Sequence, residues 1–236
     1  MKKNLQGGKI LMKWTKKILS VALASAFLCL PSQTFAADVE VNSVESSAED
    51  WKNEAGEVVV KGGGGETATT AVKDNYVTVN SGSYTGIFGG MTSTGDVNNN
   101  IVNFKYGNVS GGIVGGFTFY NENLTAGNVF GNTVNFSGGK TNWISGGEVG
   151  YVGSSLDFSQ LAGGNVFGNT VNISGGEING GVIGGSALTG SATDNNINIS
   201  GGTIKGVVIA GEVQQPQSTS EVKDNTITIT GSPDLS

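Results

Sequence analysis

The chain is predicted to be all-β, a parallel β-solenoid of five to six coils, and three observations predict it. The nine residues 127–135 (GNVFGNTVN) recur letter for letter at 164–172, which is duplication rather than chance composition. Six asparagines, Asn75, Asn100, Asn132, Asn169, Asn195 and Asn225, open a common phrase at spacings of 25, 32, 37, 26 and 30 residues. Glycine supplies 40 of the 236 residues and charged residues only 14%, a composition unsuited to helices.

Each phrase reads as a strand followed by corners. Two apolar residues separated by one follow every asparagine: Val77/Val79, Val102/Phe104, Val134/Phe136, Val171/Ile173, Ile197/Ile199 and Ile227/Ile229. That alternation is the period of a strand with one face inward. Three residues past the second apolar position comes Gly82, Gly107, Gly139, Gly176 or Gly202; in the sixth copy the matching stretch is Thr230-Gly231-Ser232. Seven past it comes Gly86, Gly111, Gly180 or Gly206, with Trp143 as the exception. These are read as corners, where glycine supplies positive φ freely and asparagine tolerates it. A single coil cannot bury its own apolar side chains. Stacked coils can, because equivalent strands pair in parallel about 4.8 Å apart and their side chains pile into one interior. Val77, Val102, Val134, Val171, Ile197 and Ile227 are therefore expected to form one interior column, and the chirality of parallel crossovers predicts a right-handed coil.

The chain is expected to divide into three parts. Residues 1–36 read as a cleavable signal peptide: six lysines, an apolar run of 13 residues at 18–30, Pro31, and a small-residue cleavage site between Ala36 and Ala37. The run is too short for a membrane span, which needs about 20 apolar residues. Met12 is an alternative start that leaves the mature chain unchanged, and the large Leu28 before Cys29 argues against lipidation. Residues 37–72 read as a flexible acidic segment, with an opening strand at 58–60 and Gly62, Gly63, Gly64 and Gly65 as a joint. No Gly-Lys-Ser/Thr follows those glycines, so they are not a phosphate loop. Residues 73–236 are the solenoid, expected to be truncated at the C-terminus because the sixth strand pair carries no polar cap.

Charge and composition exclude several function classes. Residues 37–236 hold no cysteine, histidine or arginine, and 7 lysines against 19 acidic residues give 7 − 19 = −12. Such a surface repels nucleic acid. Ser-His-Asp triads, cysteine nucleophiles and His/Cys metal sites are impossible, and no cofactor or metal is expected. The acids Asp74, Asp96, Glu122, Glu148, Asp157, Glu177, Asp194, Glu212 and Asp224 are scattered. Asp74, Asp194 and Asp224 share the register just before the opening asparagine and read as a turn-capping ladder rather than a catalytic pair. The Asp-rich calcium-roll nonapeptide is missing, and the sequons at Asn108, Asn123, Asn135, Asn172 and Asn198 follow from writing N-x-S/T near strand ends. Repeat length varies in one place, after the Gly-Gly pair, where residues 117–126 and 148–163 are inserted. Insertions on a solenoid project from one side, so Phe117, Phe119, Tyr120, Tyr151 and Phe158 are the candidate ligand residues.

A leader followed by copies of N-x-V-x-[VIF]-S-G-G-x-[IV]-x-G-G-V-I-G-G closely resembles the passenger region of bacterial autotransporters, over roughly residues 74–236. The resemblance implies a surface β-solenoid, exported unfolded through an outer-membrane barrel, that serves adhesion or aggregation by meeting host-cell, matrix or glycan ligands. Freedom from cysteine suits such passage. The chain lacks the barrel's ten-residue lipid-facing strands, so an outer-membrane translocator belongs to a longer form. The alternatives are a carbohydrate-active solenoid enzyme and a stalk that binds nothing.

Overall fold

In the computed structural model the described residues are 38–42, 51–52, 58–65, 68–120, 125–151 and 158–236. The signal-cleavage pair Ala36 and Ala37 lies outside them. The parallel β-solenoid is what the stacked phrases build, as the alternation predicts. Its first face carries Tyr76–Ser81, Ile101–Phe104, Thr133–Phe136, Thr170–Ile173, Asn196–Ile199 and Thr226–Ile229, paired in parallel in that order. Its second face stacks Val58–Lys61, Gly86–Thr92, Asn108–Tyr120, Lys140–Tyr151, Val182–Ala187 and Val208–Val213. The third face is a ladder of two-residue strands, from Val72–Lys73 through Val97–Asn98, Val129–Phe130, Val166–Phe167 and Ala192–Thr193 to Val222–Lys223.

Register puts like on like. Val77, Val102, Val134, Val171 and Ile197 stand in one column, each 0% exposed, beside Val79, Phe104, Phe136, Ile173 and Ile199. Phe104 and Phe136 stack 5.4 Å apart with their planes nearly parallel, the arrangement identical pairing favours for two rings one coil apart. Ile227 corrects the expected column: it pairs with Ile197 in register but is 43% exposed. Its strand is the last of the first face among the described residues.

The asparagine that opens each phrase proves to be a structural beam rather than a turn residue. Asn75 donates its backbone N–H and its Nδ2 to Oδ1 of Asn100 at 3.1 and 2.7 Å, and the same double bond continues through Asn132, Asn169 and Asn195 to Asn225. The second Nδ2 proton of Asn100, Asn132, Asn169, Asn195 and Asn225 goes to a carbonyl of the third face one coil back. From Asn75 to Asn195 these amides are buried and satisfied, the condition under which buried polar groups stabilise a fold. The residue before each beam asparagine has φ between 54° and 65°, and it is Asp74, Asn99, Gly131, Gly168, Asp194 or Asp224. That register therefore selects residues that tolerate the left-handed region.

The paired glycines have a cause other than turning. A Cβ at Gly63, Gly90, Gly116, Gly147, Gly185 or Gly211 would come within 2.5–2.8 Å of its coil's beam asparagine. Side chains are excluded there because the amide fills the space. Gly62 and Gly63 thus correct the reading of a glycine joint. Val60 is 2% exposed and pairs with Ile87, and Gly63 sits against Asn75 as Gly90 sits against Asn100. The first coil begins at Val58–Lys61, ahead of residue 73.

Two stretches of the segment read as lacking regular structure are also strands. Asp38–Asn42 pairs antiparallel with Tyr76–Ser81, and Trp51–Lys52 pairs antiparallel with Val58–Lys61. On both faces the parallel ladder thus gives way to an antiparallel strand at the first coil.

Candidate functional site

The inserted stretches do not project as loops at their start. They prolong strands of the second face: Asn108–Tyr120 runs for 13 residues and Lys140–Tyr151 for 12, paired from Asn108↔Lys140 to Tyr120↔Tyr151. Tyr120 is fully buried in a second core with Val97, Val129, Val149 and Val166. Its hydroxyl bonds to the Gly163 carbonyl at 2.9 Å and to Thr189 Oγ1 at 2.8 Å, and burial raises its pKa. Phe119 is 8% exposed, and Phe158 packs against the same core. Phe117 is half-buried among rings, 5.9 Å from Phe88 and 6.0 Å from Phe119. Tyr120 and Phe119 are thus buried, which corrects their reading as ligand contacts. Tyr151 ends its strand, and its side chain lies outside the described residues.

Polar groups gather where the inserted strands meet the later coils. Glu148 is in register with Ser186, and Ser186 with Glu212. The Ser186 hydroxyl donates to Glu212 Oε1 at 2.8 Å and accepts from Gln214 Nε2 at 3.0 Å. Desolvation, then repulsion by Glu212, pushes the Glu148 carboxyl up to about 7. Glu122 and Asp157 lie outside the described residues. Asp74, Asp194 and Asp224 are exposed, and only the last two occupy adjacent coils. No group of three or more potential metal ligands occurs among the described residues.

A third feature was missed in the sequence. Between the first and second faces runs a groove of about 760 Å³. Its floor is the positive-φ glycines Gly82, Gly107, Gly139 and Gly176. Tyr106, 67% exposed, stands one coil past Ser81, Gly82 and Ser83, and Lys140 and Glu177 line a wall. Lys140 Nζ and Lys205 Nζ reach the Glu177 carboxylate at 3.0 and 2.6 Å, holding it below the usual carboxylate range, Lys205 first. The signal was legible in hindsight: Tyr106 falls in the register of Gly138, Gly175 and Gly201, so one large ring occupies a position the later copies leave empty.

Comparison of the chain with family models, with curated proteins and with solved structures finds no match.

Proposed function

We propose that the chain is an exported β-solenoid that works as a passenger-like surface module for adhesion or scaffolding, brought out by an outer-membrane translocator. The observation that carries this reading is the one-directional asparagine beam. Each coil presents donors to the next, so the fold can be completed one coil at a time, as a chain crossing a membrane unfolded requires. The leader and the absence of cysteine from residues 37–236 support the same reading. Producing the complete gene product in a diderm bacterium tests it. Cleavage after Ala36, protease-accessible chain on intact cells and gain of attachment are expected; a cytoplasmic chain that keeps residues 1–36 would end the proposal.

The pair Glu148 and Glu212 favours one second reading, hydrolysis of a glycan. A desolvated carboxyl raised to about 7 suits the general acid of such a reaction. Release of reducing ends from a polysaccharide panel, abolished in Glu148→Gln, is what that reading requires, and a panel with no turnover removes it.

A further inference from the structure

We propose that the groove between the first and second faces binds a neutral linear glycan lying along the solenoid axis, with a sugar ring stacked on Tyr106. The proposal deepens the surface-binding reading and rests on it.

The shape comes from the register. Above Tyr106 each coil contributes two adjacent glycines, Gly138-Gly139, Gly175-Gly176 and Gly201-Gly202, so nothing rises from the floor beyond the ring. The backbone cannot fill that space differently. A Cβ at Gly138 would stand 2.5 Å from the Lys105 carbonyl oxygen, and one at Gly175 2.6 Å from that of Ser137. The trench is straight and repeats at the coil spacing of about 4.8 Å, which suits a polymer better than a compact molecule. Its volume of about 760 Å³, open along one side, has room for a linear chain.

The chemistry of the walls selects the polymer. A peptide strand would need free backbone groups to pair with, and these are already used. Asn108 N–H donates to Gly82 O, Lys140 N–H to Gly107 O, Glu177 N–H to Gly139 O and Thr203 N–H to Gly176 O, each at 2.9 Å. What remains is side chains: Ser81, Ser83, Asn108, Lys140 and Glu177 line the groove beside Tyr106. Hydroxyl, amide, ammonium and carboxylate groups beside one exposed aromatic face make a sugar-binding set, the ring taking the apolar face of a pyranose. Lys140 and Glu177 hold each other in place, so the donors are positioned before binding. A net charge of −12 over residues 37–236 disfavours polyanions, which makes a neutral glycan the occupant.

The test is calorimetric titration of the purified full chain with neutral β-glucan and α-glucan oligosaccharides, and with alginate and hyaluronan oligosaccharides as acidic counterparts. Binding is expected for a neutral glycan, weakened about tenfold by Tyr106→Ala, the worth of one aromatic face, and restored in Tyr106→Phe. Tyr106 is exposed, so both variants keep the wild-type circular dichroism, which is checked alongside. Neutral-glycan binding unchanged in Tyr106→Ala, or binding of acidic glycans alone, overturns the assignment. Cells that attach through the displayed chain while no glycan binds it also overturn the assignment but leave the surface-module reading standing; failure of display strikes that reading instead.

Discussion

Two asparagine ladders run up the same solenoid three residues apart, and only one of them is a beam. In the inner ladder, the Asn132 side chain makes four hydrogen bonds: it accepts from Asn100 N and Nδ2 at 3.0 and 2.9 Å and donates to Val97 O and Asn169 Oδ1, both at 3.0 Å. In the outer ladder, Asn135 donates to Asn103 at 2.7 Å and accepts from Asn172 at 2.8 Å, on a surface where water competes for both. Spacing and residue type are shared, whereas the direction of donation is reversed: inner amides donate to the following coil and outer ones to the preceding coil. Burial also differs, and burial sets the value of a hydrogen bond, because an orphaned amide in the interior bears its full desolvation penalty while a more exposed one turns to solvent.

The largest expected effect breaks the inner ladder. Asn132→Ala strands the Asn100 N–H and removes four bonds, and should destabilise the solenoid by about 3–5 kcal/mol in urea unfolding. A loss of under about 1 kcal/mol would show that the two ladders are equivalent after all. Gly147→Ala attacks the same beam sterically, since its Cβ would lie 2.7 Å from Asn169 Nδ2. About 1–3 kcal/mol should be lost, with no counterpart on the outer ladder. Asn135→Ala, three residues from Asn132, should cost only about 1 kcal/mol in the same measurement.

The contrast extends to charge. Glu148 is desolvated and its carboxyl is raised to about 7, whereas Glu177 is drawn down by Lys205 and Lys140 on an open surface. A carboxyl whose folded pKa exceeds its unfolded value binds more protons when folded, so stability falls as pH climbs from about 4.5 to about 7. The melting temperature of the wild type should decline across that window, and Glu148→Gln should flatten the decline. The smallest effect is expected from Glu177→Gln, which should leave thermal melting unchanged, as exposed ion pairs contribute little.

How much of this was legible follows from the kind of regularity involved. The inward alternation at Val77/Val79 through Ile197/Ile199 states its own geometry, because a strand's period is local. The role of Asn75 to Asn225 was hidden, since a repeated asparagine is equally consistent with a turn until the next coil is seen to supply its partner. Gly62 and Gly63 were misread for the same reason: what excludes their side chains lies downstream, the Gly89 carbonyl for Gly62 and the Asn75 amide for Gly63. Tyr120 was taken for a loop residue because inserted aromatics look exposed in sequence. Thr189 and Gly163, which hold its hydroxyl, are 69 and 43 residues away.

By itself the sequence determined that this chain repeats, that its strands turn Val, Ile and Phe inward, and that residues 37–236 carry neither histidine nor cysteine chemistry. Those properties reside in residue type and short-range period. Only the tertiary structure decided which asparagines bear load, which glycines are crowded rather than bent, that Ile227 meets water, and that Tyr106 overlooks an open trench. Each of these depends on what the neighbouring coil places at a distance of one strand spacing, and elastic spacings of 25 to 37 residues hide that neighbour until the chain is folded.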